Sequence, residues 1–149
     1  MCGIVGITSS KEVTSRIIGS LKKLEYRGYD SAGIATISKN NINEVKCEGR
    51  VNELEKNVNQ IKLSGTIGIG HVRWATHGKP STINAHPHSS DNVSVVHNGI
   101  IENSTILKKI LEKKGYKFKS QTDTEVIVHL VTDYLKKNNL KDTIIKVLK

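Results

Sequence analysis

One short stretch sets the first element of the fold: Cys2-Gly3-Ile4-Val5-Gly6-Ile7-Thr8. Its run of apolar residues, interrupted by two glycines, predicts a short β-strand. The segment that follows, Lys11–Leu24, carries apolar side chains at helical spacing (Val13, Ile17, Ile18, Leu21 and Leu24) and predicts an amphipathic helix. The chain therefore opens with a strand and a helix that has one face to bury.

Four further stretches predict strands. Ile34–Ser38 and Ile42–Cys47 flank Lys39-Asn40-Asn41, an arrangement typical of a hairpin. Thr66–Val72 and Val93–His97 are also rich in apolar residues, and a loop rich in His, Thr, Gly and Pro separates them. Because strands and helices come in clusters rather than in strict alternation, the pattern favours an α+β fold with largely antiparallel sheets.

Four further stretches predict helices with one apolar face. The first covers Val51–Lys62, and the second can begin with Asn103 as its cap and end at Gly115. In the third, Thr122 and Glu125 match a capping box, with Thr122 as the cap and Glu125 reaching back. The last reaches the end of the sequence without a cap or turn signal, so we expect the domain to be incomplete at that point.

The 149 residues carry a formal charge of +9, from 23 Lys and Arg against 14 Asp and Glu. A basic balance suggests nucleic-acid binding, but residues 106–149 hold 11 Lys/Arg and 5 acidic residues, which is +6 of that excess. Their lysines stand on the polar sides of helical patterns, where solvated charge is ordinary. One Phe, one Trp and four Tyr leave few rings for base stacking. We expect no nucleic-acid partner.

The sequence also indicates a compartment. No apolar run approaches the roughly 20 residues that span a bilayer, and Met1 to Ile7 has no basic region and too short an apolar stretch for a signal peptide. We therefore expect a cytoplasmic protein with no membrane partner. In that reducing compartment the two cysteines, Cys2 and Cys47, do not indicate a disulfide framework.

Cys2 can supply a nucleophile. Removal of the initiator methionine would place its thiol beside its own α-amine, and their reference pKa values of about 8.5 and roughly 7.7–8.0 let the amine take the thiol proton. This is the N-terminal-nucleophile form of covalent catalysis. The alternative is a small apolar strand residue. Cys47 has no such neighbourhood and is expected to be structural.

Three other positions combine a chemical and a structural interpretation. Asn98-Gly99 can donate a side-chain amide and a backbone N–H to an oxyanion, while Asn-Gly is also the strongest short signal for a tight hairpin, which we favour without excluding the first role. Arg73 can grip a carboxylate through its planar fork, or lie on the surface beside a core tryptophan. Asp123 can belong to a helix cap, which is the interpretation that we favour from the residue alone.

The six histidines raise the question of a metal, most of all at His86-Pro87-His88. No cysteine pair and no His-x-x-x-His spacing on a helix accompanies them. We expect no metal site.

Six blocks occur in an order that resembles a known family: Cys2 to Gly6, Leu24 to Gly33, His71 to Gly78, Asn84 to His88, Val96 to Asn103 and Thr122 to Val126. Together they are similar to the glutamine amidotransferase domain of the glutamine:fructose-6-phosphate aminotransferase family, over essentially all of residues 2–149. The resemblance implies the N-terminal-nucleophile hydrolase fold, an αββα sandwich whose later strands we expect to be missing from this chain.

The resemblance also assigns roles. It implies that Cys2 attacks the side-chain amide of glutamine to form a thioester, and that Asn98 and Gly99 form the oxyanion hole. It implies that Arg73 holds the α-carboxylate of the substrate and that Asp123 binds its α-ammonium. The remaining implied positions are Thr76 and His77 on the carboxylate wall, Trp74 on the ammonia route, Arg27 near the nucleophile and His86 as a support.

For the longer protein, the resemblance implies that ammonia passes to C-terminal sugar-isomerase domains, absent here, which convert fructose 6-phosphate to glucosamine 6-phosphate. It implies no cofactor and a homodimer at full length. Residues 1–149 would be a partial N-terminal type-2 amidotransferase domain, inactive while Met1 remains. The alternatives are a glutaminase domain of amidophosphoribosyltransferase type, an inactive fragment that acts as a basic binding module, and a Cys/His dyad enzyme in which a histidine is the base.

Overall fold

A computed structural model describes residues 1–75, 78–90 and 92–148. Short 3₁₀ turns lie at Glu25–Arg27 and Thr82–Asn84. The strands and helices, in chain order, are β1 (Gly3–Thr8), α1 (Thr14–Leu24), β2 (Ser31–Ser38), β3 (Asn41–Glu48), α2 (Val51–Ile61), β4 (Ile67–Arg73), β5 (His88–Ser90), β6 (Val93–Val95), α3 (Ser104–Lys113), α4 (Glu125–Leu135) and α5 (Leu140–Val147).

The strands form two antiparallel sheets. The larger has the order β1-β4-β2-β3, and the smaller pairs β5 with β6. The predicted hairpin between β2 and β3 is present, with a loop of two residues rather than three: Lys39 and Asn40 have φ angles of 50° and 63°. Two successive positive φ angles are characteristic of the tight turn that matches strand twist, so pairing begins at Asn41.

One face of the larger sheet carries the main apolar core. Ile17 and Leu21 of α1 and Leu54 of α2 are fully buried against it. Two glycines of β4 make this close approach possible, since a Cβ atom on Gly68 or Gly70 would lie 2.6 Å from the Ile17 side chain. The apolar spacing read in α1 and α2 is therefore the spacing of residues that face the sheet.

The opposite face of the larger sheet looks towards the smaller sheet across an apolar cavity of about 360 Å³. Ile37 and Ile69 line it from the larger sheet, and Val93 and Val131 line it from β6 and α4. Helix α4 in turn packs on β5 and β6. The layers therefore run helices, sheet, sheet, helices, which confirms the α+β prediction and the αββα order.

Helices α3 and α5 bury little. Of α3, only Leu111 is buried, and Ile106 and Ile110 are exposed although both belong to its predicted apolar face. In α5 the exposed residues include Leu140 and Ile144.

Within the described ranges, no helix has the length and apolar character needed to cross a membrane.

The predicted hairpin at Asn98-Gly99 is wrong. Strand β6 ends at Val95, two residues earlier than predicted, and no strand follows Gly99 to pair with it in the described part of the chain. The reason is tertiary: the backbone of His97 bonds to histidine side chains, and Asn98 donates to the carbonyl of Cys2. Long-range bonds have replaced the ladder that a hairpin would need.

The predicted capping box at Thr122 is also wrong. Helix α4 begins at Glu125 with Thr124 at the N-cap position, and no side chain caps it. The Glu125 carboxylate instead accepts the backbone N–H groups of Lys119 and Ser120, at 2.8 and 2.7 Å. Glu125 does reach back, but to the loop before the helix rather than to Thr122.

Candidate active site

A pocket of about 260 Å³ opens where β1 begins and β4 ends. These points coincide because the strands are antiparallel, with Gly3 opposite Val72. Arg27 reaches the backbone of Cys2 at the edge of the pocket. The predicted residues Thr76 and His77 lie outside the described residues. The predicted residues that line the pocket are Cys2, Arg73, Trp74, His86, Asn98, Gly99 and Asp123.

Cys2 is held from several sides. Its Sγ accepts the backbone N–H of Trp74 at 3.4 Å and lies 3.7 Å from the Trp74 carbonyl oxygen. Its own carbonyl accepts Arg27 Nε at 3.1 Å and Asn98 Nδ2 at 3.4 Å. The thiol of Cys2 is half-buried. The side-chain amide of Asn98 lies directly beside Cys2, because it donates to the carbonyl of that residue.

Arg73 is the last residue of β4 and is 4% exposed. Its Nη2 donates to the carbonyl of Gly78 at 3.2 Å. Burial lowers the pKa of its guanidinium, and the nearby Cys2, Asp30 and Asp123 act in the opposite direction. A guanidinium nevertheless stays charged at any physiological pH. The pocket therefore has a fixed cation on one wall.

Asp123 supplies the opposite charge. It precedes α4, and its Oδ2 accepts the backbone N–H of Ile101 at 2.6 Å. That bond goes to the segment before α3, so the side chain does not cap a helix. With Arg73 on the same pocket, a zwitterionic ligand meets a cation for its carboxylate and an anion for its ammonium.

The loop that carries Asp123 is fixed by Glu125, which is buried. Ser120 donates to the carboxylate from both its backbone N–H and its hydroxyl, each at 2.7 Å. Burial by itself raises the pKa of Glu125, but the His129 ring, 3.6 Å away, and hydrogen bonds from Ser120 and Lys119 outweigh it and lower the pKa to about 2. Glu125 is thus a buried anion kept charged by the loop it holds.

Three buried histidines form a cluster at the pocket, and two of them, His71 and His86, line it. The rings of His71 and His86 are stacked, with centroids 4.3 Å apart, and His88 meets His86 edge-on. Burial lowers the pKa values of His71 and His88 to about 4, and burial beside the other rings holds the pKa of His86 well below its ordinary range. All three are neutral at pH 7. No group of three metal-ligating side chains converges among the described residues.

Asn84 ties two loops of the site together. It is fully buried, its Nδ2 donates to the Lys79 carbonyl and to Gln121 Oε1, both at 3.0 Å, and its Oδ1 accepts the backbone N–H of Gln121 at 2.8 Å. The segment before His86 and the segment before Asp123 are therefore held by one side chain.

Several site residues were not assigned from the sequence. Asp30 accepts the backbone N–H of Ala75 at 2.8 Å and so shapes the turn after Arg73. It stands in one of the six blocks, which was its only signal. His71 could have been found from strand alternation, because it lies two positions before Arg73 on the same face of β4. His97 and Asn84 also stand in two of these blocks, and neither strand alternation nor helical spacing singles them out.

The fold and this pocket together define an α+β N-terminal-nucleophile architecture in which a cysteine shares a pocket with side chains of opposite charge. A solved structure has the same fold: the glutamine phosphoribosylpyrophosphate amidotransferase from B. subtilis complexed with ADP and GMP. The likeness has a TM-score of 0.73 and 32% sequence identity, and it covers 99% of this chain and 32% of that one. The predicted N-terminal-nucleophile fold is confirmed.

The family model for the glutamine amidotransferase domain matches residues 71–145. The chain belongs to this family. It is 57% identical, over 99% of its length, to glutamine–fructose-6-phosphate aminotransferase [isomerizing] of Clostridium acetobutylicum. It is 61% identical, over 88% of its length, to the enzyme of the same name in Francisella tularensis. The chain spans about a quarter of these relatives, 24% and 22% of their lengths.

Proposed function

We propose that this chain hydrolyses the side-chain amide of glutamine with Cys2 as the nucleophile. The observation that carries the proposal is the pocket that brings Cys2, Arg73, Asn98 and Asp123 together. Its two opposite charges suit an amino acid, its thiol suits acyl transfer, and the Asn98 amide lies next to the thiol-bearing residue. Membership of the glutamine amidotransferase family supports glutamine as the substrate.

In the proposed reaction, the α-amine of a terminal Cys2 takes the thiol proton and Sγ attacks the amide carbon. The carbonyl oxygen becomes an oxyanion that accepts hydrogen bonds from Asn98 Nδ2 and the Gly99 N–H. When the carbon–nitrogen bond breaks, the ammonium of Cys2 returns its proton to the leaving group, which departs as ammonia. Water then attacks the thioester carbon, which releases glutamate and restores the thiol.

The flanking residues position the two reactants. Arg73 binds the α-carboxylate and Asp123 the α-ammonium, with Thr76 and His77 proposed on the carboxylate wall. Arg27 fixes the carbonyl of Cys2, and His86 supports the backbone before Asn98. Trp74, partly exposed and edge-on to Tyr29, is proposed to line the route by which ammonia leaves.

This mechanism requires removal of Met1. With Met1 in place, the nitrogen of Cys2 is an amide, whose lone pair is delocalised and cannot accept the thiol proton. Met1 is 77% exposed, which suits removal. The uncleaved chain should therefore be inactive, whereas a Cys/His dyad would retain activity.

For the longer protein, we propose conversion of fructose 6-phosphate to glucosamine 6-phosphate with the ammonia released here. The names of the relatives that are 57% and 61% identical support this step. Residues 1–149 would be part of its N-terminal amidotransferase domain, with sugar-isomerase domains following. We also propose a cytoplasmic homodimer that needs no cofactor for this reaction. An amidophosphoribosyltransferase would instead consume a phosphoribosyl substrate.

The test is covalent labelling of the purified protein by an electrophilic glutamine analogue, after intact mass has established removal of Met1. One label is expected on Cys2, with loss of glutamine hydrolysis in proportion. Cys2→Ala should take no label, and Cys47→Ala is the matched control that should label normally. A label on Cys47, or hydrolysis by the protein that retains Met1, would contradict the proposal. Ammonia transfer to fructose 6-phosphate by the full-length protein tests the wider role.

A further inference from the structure

His97 immediately precedes Asn98 and Gly99, and histidine side chains hold both of its main-chain polar groups. The backbone N–H of His97 donates to His86 Nδ1 at 3.3 Å. The carbonyl of His97 accepts His71 Nε2 at 3.2 Å. Neither bond belongs to a helix or a sheet, because β6 has already ended at Val95. Side chains from two other segments therefore fix the backbone at this position.

The two histidines act as a single unit because they are stacked. Their ring planes are 20° apart, their centroids are 4.3 Å apart, and the side chains are 0% and 4% exposed. Bonding to a carbonyl requires a proton on Nε2 of His71, and bonding to an N–H requires a bare Nδ1 on His86. Each neutral ring can meet its own requirement, and the low pKa of both rings keeps them neutral.

The ring of His97 also restrains the residues that follow it, because it contacts both Thr124 and Gly99. Its Nδ1 lies 3.1 Å from the hydroxyl of Thr124. Its Nε2 lies so near Gly99 that a Cβ atom there would be 2.7 Å away. The backbone of Gly99 thus packs on the His97 ring, which is anchored at its other end by the loop that carries Asp123.

We propose that His71 and His86 are positioning residues that jointly aim Asn98 and Gly99 at the oxyanion. The inference rests on the proposed function, which gives Asn98 and Gly99 that role. Oxyanion donors act only when the negative charge develops, and they must be held within about 0.5 Å of the productive position. Displacing them slows the chemical step and leaves glutamine binding, which uses Arg73 and Asp123, nearly unchanged.

The two histidines require opposite amide replacements, which gives the test its control. The oxygen of Asn stands where Nδ1 of a histidine does, and the terminal amide of Gln stands where Nε2 does. His86→Asn therefore keeps the acceptor and His86→Gln displaces it, whereas His71→Gln keeps the donor and His71→Asn displaces it. All four variants keep a polar, uncharged side chain that is no larger than histidine.

The experiment measures kcat and KM for glutamine hydrolysis by the mature protein carrying each variant. We expect His86→Gln and His71→Asn to lose about 10- to 100-fold in kcat, with KM changed less than about 3-fold. His86→Asn and His71→Gln should recover most of the loss. A merely structural role predicts similar losses for both members of each pair, or a matching rise in KM, and either result would overturn the inference.

A double-mutant cycle separates this inference from the proposed function. Asn98→Ala alone should lower kcat by roughly 10²–10³-fold. Adding His86→Gln to it should then cost clearly less than His86→Gln costs in the wild type, because one of the two donors that it displaces is already missing. If the loss of kcat in the double variant is the product of the two single losses, the positioning role of the histidines is overturned, while the oxyanion role of Asn98 stands. An unchanged kcat in Asn98→Ala overturns the oxyanion role and the inference together.

Discussion

The two faces of strand β4 differ in what they bury. On one face, Gly68, Gly70 and Val72 lie under α1 and form part of an apolar core. On the other face, His71 and Arg73 are equally buried but belong to the pocket. Side chains alternate along a strand, so seven residues serve both purposes. Burial on this strand therefore does not separate core from site; the hydrogen-bonding partners do.

The buried histidines should make the protein less stable in acid, which is the largest effect that we expect. His71 and His88 have folded-state pKa values of about 4, against 6.5 when unfolded. The unfolded chain therefore binds protons first, and stability falls as the pH drops below about 6.5, until this contribution is fully lost near pH 4. Each group accounts for on the order of 3 kcal/mol.

Urea unfolding between pH 7 and pH 4 measures that slope. His88→Gln keeps a polar atom near Thr122 and removes one titration, so its stability should vary less with pH. Equal stability of the wild type at pH 6.5 and pH 4 would show that the buried histidines do not resist protonation.

The apolar face should govern stability without governing the chemistry. Leu54→Ala removes a fully buried side chain and should lower the free energy of unfolding by about 2–5 kcal/mol. Ile61→Ala, on the same helix but 59% exposed, is the matched control and should change it by less than about 0.5 kcal/mol. Glutamine hydrolysis per folded molecule should be unchanged in both. A selective loss of kcat in Leu54→Ala would break the separation of the two faces.

Two strand glycines, Gly33 and Gly6, differ in how closely other segments pack against their backbone. A Cβ atom on Gly33 would lie 2.1 Å from the carbonyl oxygen of His86, whereas one on Gly6 would meet only Ile69, at 4.0 Å. Gly33→Ala must displace the segment that carries His86 and should destabilise by about 1–3 kcal/mol with a loss of activity. Gly6→Ala should be neutral or slightly stabilising. Thermal unfolding and an activity assay check both, and equal behaviour would refute the close packing.

The smallest expected effect is on ligand binding at Arg73. Arg73→Lys keeps the charge but loses the planar fork, so KM for glutamine should rise by about 10- to 100-fold with a smaller change in kcat. The melting temperature should move little in comparison with Leu54→Ala. An unchanged KM would mean that the guanidinium does not bind the carboxylate.

Sequence patterns correctly predicted the helices and strands that bury one apolar face. Helices α1 and α2 and strands β1 to β4 follow the apolar spacing closely, because each buries a single face against the same sheet. Strand β5 is missing from the predictions, since His88–Ser90 has neither apolar alternation nor length. The hairpin at Asn98-Gly99 failed because bonds from distant histidines override local turn preference.

The same reasoning applies to the site. Ordered blocks identified Cys2, Arg73, Asn98 and Asp123, and these do meet in one pocket. The pairing of His71 with His86 could not be read from the sequence, because the stacking depends on how two separate segments meet. Hydrophobic periodicity and secondary-structure propensity describe residues within one helix or strand. They carry no information about contacts between distant segments.

The side chain of Asn84 implies a strong asymmetry in mutational tolerance. It both donates to and accepts from groups that no other residue type could serve together, and even Asn84→Asp would set an anion against the carbonyl of Lys79. Its partner Gln121 is exposed and contributes a side-chain oxygen, whose place solvent can take, and a backbone N–H that almost any residue retains. A saturation library should therefore be nearly invariant at position 84 and permissive at position 121, although the two residues share the same contact.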